Sequence, residues 1–418
     1  MAETRKRGGI VAALSDRNYR IYCAGSTVSL VGMWIQRVAV AWLAWTLTES
    51  ATWLGILALA DLAPSMLFAP FAGALADRID RLRMIWATQV AQMIQALALI
   101  GLTVADAIDI WWLLALTFVL GIATAFNAAA RLAILPTLVP DSVFPSVVGM
   151  ESATYNVARF IGPAISGIVI ASFGLVAAFV VNACTYVAVL VAIAFLRPLR
   201  EEVAHIGRRA GIWRETWDGL AYAFAHPGLR PVLFLLAASA LTLRAVPELL
   251  PGFAERVFAG GAVALSMLTS AVGLGALLGA VWMAERGRLA GLGNITLTAL
   301  YVGTAAFLGF VATAEMGIAL GFAVVAGFAM VCLGAGVQTL MQSMVEGQMR
   351  GRVMSLYAML HRGGPAFGAV LLGALADAIG LRLAVAIGGT VSLLAAVALT
   401  RAMRGVPARE IERQRTSR

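Results

Sequence analysis

The sequence has little charge and few cysteines for its length. Only 13% of its 418 residues are Asp, Glu, Lys or Arg, whereas soluble domains average about 25%. The three cysteines, Cys23, Cys184 and Cys332, lie in apolar runs and offer neither a disulfide framework nor metal-ligand spacing. A Walker-type phosphate loop is missing, which argues against ATP hydrolysis by this chain. We therefore expect no enzyme activity, no metal and no cofactor.

What the sequence does contain is apolar residues, at 61% of the chain. They fall in blocks of roughly 20 residues, the length of a helix that crosses a hydrocarbon core of about 30 Å. In lipid such a block must satisfy its own backbone hydrogen bonds, so each block is predicted to be a helix. The predicted spans are 19–47, 52–76, 84–105, 110–132, 144–172, 175–196, 231–252, 262–284, 292–313, 317–343, 353–379 and 382–403.

The net charge of +9 follows membrane topology rather than nucleic-acid binding. With the N-terminus inside, only Arg256 and Arg382 fall on outer segments, and nearly all other Lys and Arg are cytoplasmic. The exceptions lie within spans: Arg37, Arg159, Arg244 and Arg362. This asymmetry is the positive-inside rule. It predicts a multi-pass protein of the bacterial inner membrane with both termini in the cytoplasm. No cleavable signal pattern precedes the first span.

Six spans, a polar segment and six more spans suggest a duplication. Residues 155–163 read YNVARFIGP and residues 357–365 read YAMLHRGGP, with equal spacing from Tyr to Gly-Pro. The predicted architecture is an all-α membrane protein with twelve transmembrane helices in two pseudo-symmetric six-helix bundles. These are 1–196 and 231–403, joined by a cytoplasmic linker at 197–230 and followed by a basic tail at 404–418.

The sequence GALAD occurs twice, at Gly73–Asp77 and at Gly373–Asp377. The first copy lies at the cytoplasmic end of span 2 and the second at the outer end of span 11. Because the positions are not topologically equivalent, we interpret the second copy as a packing face of small residues. The glycines of span 8, Gly273, Gly275 and Gly279, are likewise attributed to helix packing, since no strand precedes them as a dinucleotide site requires.

The loop GALADRIDRLR at Gly73–Arg83 resembles the signature loop of the major facilitator superfamily. Other segments resemble its enterobactin-exporter-like branch. They are Trp34–Ala39, Leu47–Ser50, Phe126–Arg131, Leu138–Pro140, Ala158–Pro163 and Arg350–Val353. The resemblance implies the major facilitator fold and export of siderophores, macrolides or other amphipathic compounds coupled to proton entry. A Gln stands in the family pattern where this chain has Asp61, which leaves the proton-coupling residue open.

The resemblance also implies a cytoplasmic gate. In the family the loop carboxylate, here Asp77, latches onto the start of span 11 near Arg352. A carboxylate at a helix N-terminus is stabilised by the helix dipole. Gly73 would permit the approach, and Arg78, Arg81 and Arg131 would complete a charge cluster. The alternative is that the arginines only anchor the topology.

Charges inside spans are costly unless they are paired or face a cavity, so they are the best candidates for function. Arg37 and Asp61 lie at similar depth on spans 1 and 2 and are predicted to pair. Protonation of Asp61 would break that pair; a static pair is the alternative. On span 5, Glu151, Tyr155 and Arg159 form one stripe with Asn156 beside it. Glu151 is read as a lone buried acid that carries a proton or as a gate contact.

Three later spans hold further candidates. Arg244 and Glu248 lie on span 7 in a helix weakened by Pro247 and Pro251 and are interpreted as an outer gate or an interfacial pair. Gln338 and Gln342 on span 10 could bind substrate. His361 on span 11 occupies the repeat position of Arg159 and can titrate near neutral pH, or it is a packing residue.

The leading hypothesis is proton-coupled export of an amphipathic small molecule by alternating access. We expect a monomer in the lipid bilayer whose partners are that substrate and the proton, and no nucleic acid. The alternatives are an importer or facilitator of a metabolite and, from another class, a receptor or scaffold without transport.

Overall fold

A computed structural model describes residues 10–76, 78–196, 220–287, 290–345 and 349–403, and all regular structure in these ranges is helical. The helices in chain order are α1 (Ile10–Ser15), α2 (Arg17–Thr48), α3 (Ala51–Ala76), α4 (Arg81–Val104), α5 (Ile110–Leu138), α6 (Phe144–Phe173), α7 (Leu175–Ala194), α8 (Leu229–Leu241), a 3-10 segment (Leu243–Leu249), α9 (Leu250–Arg256), α10 (Gly261–Arg286), α11 (Leu292–Ala312), α12 (Met316–Met344), α13 (Arg350–Ile379) and α14 (Leu381–Met403). Residues 220–225 are also helical, while 197–219 of the predicted linker and the predicted tail lie outside the described residues.

The described helices fit the apolar blocks of the sequence. Eleven of them are long and apolar enough to cross a membrane, by length and composition. The eleventh predicted span corresponds to α13, which is not among these eleven. This helix carries Arg350 and Arg352 in its first turn and the adjacent pair His361 and Arg362 at its centre, which lowers its mean hydropathy. The count of twelve spans therefore stays a prediction.

The seventh predicted span, 231–252, is interrupted rather than continuous. Helix α8 ends at Leu241, a 3-10 segment follows, and α9 resumes the α-helix. The ring of a helical proline clashes with the carbonyl four residues earlier. For Pro247 that residue is Leu243, where the 3-10 segment begins. The predicted weakness of this helix is confirmed.

One compact unit comprises the described residues of 1–43 and 63–207. In it α4 packs against α5 and α7. Helix α2 approaches α7 through Gly32, where an added Cβ would lie 2.6 Å from the Asn182 amide oxygen. Small residues at such crossings let membrane helices come close enough for dispersion and polar contacts to hold them together.

A second compact unit comprises 44–62 and the described residues of 208–418. Helix α12 packs against α10 and α11. An added Cβ on Gly275 would clash with the Val324 carbonyl, and one on Gly327 with the Val272 carbonyl. The glycines of α10 thus form a packing face, as predicted. The division into units passes through α2 and α3, and the predicted bundle boundaries remain predictions.

Candidate functional site

Trp34 on α2 brings together three residues of the predicted substrate site. The guanidinium carbon of Arg37 lies 5.5 Å from the centroid of the Trp34 ring, and that of Arg159 lies 5.9 Å from it. The Tyr155 ring meets the indole edge to face, with centroids 6.0 Å apart. Cations within about 6 Å of an indole are attracted by its quadrupole. We call these four residues the Trp34 cluster.

The Trp34 cluster depends on a close approach of α2 and α6. Gly162 on α6 makes room, because an added Cβ there would clash with the Trp34 side chain. Trp34 is only 8% exposed, and its indole Nε1 has no hydrogen-bond partner among the described residues. A buried donor left without an acceptor is costly. The cluster therefore combines two aromatic rings, two guanidinium groups and one indole donor without an acceptor among the described residues.

A second group joins three helices of the same unit. The Arg131 guanidinium donates to Glu151 Oε2 at 2.9 Å and, through Nε, to the Tyr22 hydroxyl at 2.7 Å. The Tyr19 hydroxyl donates to Glu151 Oε1 at 3.4 Å. The ionised side chains of the pair are 22% and 19% exposed. Glu151 is therefore not a lone acid, and its pairing with a basic residue of α5 agrees with the alternative of a gate contact, whose role stays a prediction. The predicted span 5 stripe is divided between this group and the Trp34 cluster.

A third group, which we call the His361 chain, lies in the second unit. Arg244 Nη2 and His361 Nε2 are 3.0 Å apart, and His361 Nδ1 is 3.0 Å from the Tyr357 hydroxyl. The Tyr357 hydroxyl donates to the Gly334 carbonyl at 3.3 Å. Arginine has only donors, so His361 Nε2 must accept and Nδ1 must carry the hydrogen. The arrangement requires a neutral imidazole.

Amide side chains form a buried network that the sequence analysis did not single out. Asn182 Nδ2 donates to Gln36 Oε1 at 2.7 Å, and Gln36 Nε2 donates to Gln95 Oε1 at 3.0 Å. All three residues are buried. Amides that bond across helices hold membrane bundles together. Amide side chains inside apolar spans could have indicated this network. Charged residues were preferred as candidates because a charge in a span is more costly than a neutral amide.

Three further predictions concern residues within spans. Arg37 belongs to the first unit and Asp61 to the second, so their pairing stays a prediction. Asn156 donates to the Ser152 carbonyl of its own helix at 2.8 Å. Glu248 lies in the 3-10 segment, four residues after Arg244.

Gln338 and Gln342 lie on α12. The Gln338 side chain is exposed, and the Gln342 carbonyl accepts from Arg350 at 3.2 Å. Their predicted contact with substrate remains a prediction.

The predicted cytoplasmic gate is only partly described. Asp77 lies outside the described residues, Gly73 is half-buried near the end of α3, and Arg78 is exposed. Arg81 Nη1 donates to the Ala133 carbonyl of α5 at 3.1 Å. Arg131, the third arginine predicted in this charge cluster, is bonded to Glu151 and Tyr22. The latch itself remains a prediction.

Known proteins resemble this chain over nearly its whole length. The staphyloferrin A transporter of Staphylococcus aureus (strain NCTC 8325 / PS 47) is 25% identical over 364 residues, 87% of this chain and 90% of that protein. Macrolide efflux protein A of Streptococcus pyogenes is 24% identical over 396 residues, 90% and 93% of the two chains. The multidrug efflux pump Tap of Mycolicibacterium fortuitum is 25% identical over 84% of this chain and 87% of that protein.

Solved structures show the same fold. The nucleoside transporter NupG superimposes with a TM-score of 0.73 at 12% identity, covering 93% of this chain and 99% of that one. A bacterial homologue of the iron transporter ferroportin gives 0.69 at 14% identity, with 92% and 99% covered. The family described as transmembrane secretion effector matches residues 9–418. The predicted fold and superfamily are confirmed, and this chain belongs to the transmembrane secretion effector family of the major facilitator superfamily.

Proposed function

We propose that this protein exports amphipathic small molecules across the bacterial inner membrane, by alternating access and in exchange for protons. Its relatives are named for a siderophore, for macrolides and for multiple drugs, and each aligns with more than four fifths of this chain. Alternating access in such folds rocks two helical bundles about a site near the bilayer midplane. The charge asymmetry of the sequence supports cytoplasmic termini.

The substrate is proposed to bind at the Trp34 cluster. The Trp34 and Tyr155 rings give an apolar surface that tolerates varied shapes, while Arg37 and Arg159 hold polar or acidic groups. The open indole Nε1 would donate to a carbonyl, hydroxyl or carboxylate oxygen of the substrate. This combination favours molecules with both apolar and oxygen-rich faces.

The observation that carries proton coupling is the geometry of the His361 chain. Because Nε2 accepts from Arg244, a proton that arrives at Nε2 replaces an attraction with a repulsion between two cations. Tyr357 and the Gly334 carbonyl hold the ring and its tautomer. Arg362 is the next residue of α13 and adds a second positive charge to the same turn. Protonation of His361 would therefore force Arg244 to move, which links proton binding to the conformation of the second unit.

Everted membrane vesicles test this proposal with ethidium and radiolabelled erythromycin as probes. Wild-type protein is expected to accumulate at least one probe when the vesicle interior is made acidic. His361→Gln cannot titrate, so it should lose gradient-driven accumulation by more than tenfold while retaining probe counterflow.

His226→Gln is the matched control, since His226 Nδ1 only accepts from the backbone of Gly228 and Leu229. It should behave like wild type. If gradient-driven accumulation persists in His361→Gln, the proton-binding role would be assigned to Asp61 or Glu151 instead. Counterflow without any gradient dependence in wild type would identify a facilitator instead.

A further inference from the structure

The carboxylate of Asp377, at the end of α13, caps the start of α3. Asp377 Oδ1 accepts from the Ala51 amide at 2.8 Å, and Oδ2 accepts from the Thr52 amide at 3.0 Å. The Ser50 and Thr52 hydroxyls each donate to Oδ2 at 2.6 Å. The first amides of a helix lack partners within it and attract negative charge. Most N-caps come from the residue just before the helix, whereas this one comes from 326 residues further along the chain.

Two glycines bring α13 to this position. An added Cβ on Gly373 would clash with the Ala51 carbonyl, and one on Gly55 would lie 2.5 Å from the Val370 amide. The two helices therefore touch backbone to backbone beside the cap. The interpretation of the second GALAD copy as a packing face is correct for Gly373 and incomplete for Asp377.

A neighbouring contact fastens the same stretch of chain. Arg256 donates to the Glu49 carbonyl at 2.7 Å and stacks over the Trp45 ring at 4.9 Å. Together with the Asp377 cap, this explains why residues 44–62 belong to one compact unit with residues that follow the linker. The sequence repeat, by contrast, assigns 44–62 to the first bundle.

We infer that Asp377 is a gating residue, the outer counterpart of the cytoplasmic latch expected at Asp77. In the sequence both carboxylates end a GALAD segment. Asp377 lies in the last turn of α13, and Gly73, where the other segment begins, lies near the end of α3. Asp377 on α13 would cap the start of α3 at the outer face, and the latch expected at Asp77 would cap the start of α13 at the cytoplasmic face. The contact between Asp377 and Ser50–Thr52 holds the outer side closed and separates when that side opens.

This inference rests on the alternating-access part of the proposed function and not on the proton, the substrate or the direction of transport. A static cap is the competing explanation, and it would leave the contact intact through every state. The experiment must therefore detect separation, not only the loss of a hydrogen bond.

Spin labels provide a test that needs no substrate. The labels are attached at Ala107→Cys and Leu383→Cys, two exposed positions that the charge asymmetry assigns to the outer side, after Cys23, Cys184 and Cys332 are replaced by Ala. In lipid nanodiscs the distance distribution is expected to have two populations. Asp377→Asn should raise the ratio of the long-distance population to the short-distance population at least threefold. The amide has one acceptor oxygen where the carboxylate has two, so it holds the start of α3 less tightly.

Asp109→Asn is the matched control. Asp109 also caps a helix, but its own, by accepting from the Trp112 amide at 2.8 Å. It should leave the two populations unchanged. A single distance in wild type that Asp377→Asn does not alter would overturn the inference.

Crosslinking gives an independent reading. The pair Thr52→Cys and Asp377→Cys, in the same cysteine-free chain, should form a disulfide on oxidation, since the native side chains touch at 2.6 Å. Oxidation should reduce ethidium accumulation at least tenfold and dithiothreitol should restore it. Equal transport by the fully oxidised and reduced proteins would overturn the inference. Two label populations in a protein that transports neither probe would support the gate and contradict only the proposed export.

Discussion

Half-buried arginines in this protein contact aromatic rings, a histidine and a hydroxyl. Arg37 and Arg159 stack on Trp34, and Arg244 bonds His361. Arg131 has a hydroxyl partner in addition to its carboxylate. A cation in a membrane span is costly unless it has partners or faces a cavity. The ring and hydroxyl contacts offset part of that cost.

At the scale of single residues, replacing Trp34 should weaken substrate binding. Trp34→Ala removes the ring that Tyr155 and both arginines contact, and a cation–π contact is worth about 0.5–2 kcal/mol. We expect the apparent KM for a transported probe to rise about tenfold, with Trp34→Phe intermediate. Trp86→Ala is the control, because Trp86 is 52% exposed on α4. An unchanged KM in Trp34→Ala would remove the cluster from the substrate path.

Breaking the pair of Arg131 and Glu151 should destabilise the fold more than removing the pair altogether. Arg131→Met leaves a carboxylate half-buried without its cation, a change that typically costs about 3–5 kcal/mol. The double variant Arg131→Met with Glu151→Leu should recover most of this loss. Thermal unfolding in detergent measures both effects.

The control for that measurement is Arg83→Gln, which breaks the exposed pair of Arg83 and Asp80. Exposed pairs contribute little, so its unfolding midpoint should match that of wild type. If the double variant is less stable than either single variant, the pair stabilises the protein through a contact other than the ion pair.

The sequence predicts which residues are candidates for a functional site, but it does not predict which of them contact one another. Arg37, Tyr155 and Arg159 stand out because polar groups in apolar spans are costly, whereas their meeting at Trp34 depends on how α2 and α6 cross at Gly162. The contact of Arg244 and His361 joins residues 117 apart in sequence. The i, i+4 spacing suggested Glu248 as a partner of Arg244, and that pairing stays a prediction. Sequence spacing predicts which residues are neighbours on the same helix, but it does not predict contacts between residues of different helices.

At the scale of elements, glycine contacts set the distance between helices. Gly327 on α12 touches the α10 backbone, whereas Gly321 on the same helix has open space around it. Gly327→Ala should lower the unfolding midpoint, since overpacking typically costs about 1–3 kcal/mol. Gly321→Ala should hold or raise it, because Ala is the better helix former by about 0.5–1 kcal/mol. Equal effects of the two variants would contradict the close contact.

The positions of the helices could be predicted from the sequence, but their interruptions could be predicted only in part. The repeated motif falls in α6 and α13, two helices of 30 residues with Pro163 and Pro365 inside them. Pro247 correctly predicted a weak helix, but the 3-10 segment begins four residues earlier, where the proline ring would clash with a carbonyl. The cap from Asp377 was not predictable, because it needs the end of α13 beside the start of α3.

At the scale of the whole molecule, charge asymmetry predicts orientation. In a cysteine-free chain, Glu315→Cys and Ala107→Cys should react with an impermeant maleimide in intact cells, whereas Arg83→Cys should react only after permeabilisation. All three positions are exposed. The reverse labelling pattern would invert the topology and place the cap from Asp377 on the cytoplasmic side.

Fold class could be predicted from the sequence because length, apolar blocks and charge asymmetry are properties of composition and order. The unit to which residues 44–62 belong could not, because the predicted repeat places them in the first bundle while their contacts place them in the second compact unit. If the proposed alternating access is correct, such a discrepancy is expected where a helix changes partners between states.

Proton release on ligand addition tests the central claim most directly. Detergent-purified wild type, His361→Gln and Asp61→Asn are mixed in weak buffer with a panel of siderophores, macrolides and dyes, and the pH change is recorded. We predict that wild type binds at least one ligand and releases protons, that His361→Gln binds it without release, and that Asp61→Asn still releases. Binding without release in wild type would contradict proton exchange, and release that persists in His361→Gln would contradict the role given to the His361 chain.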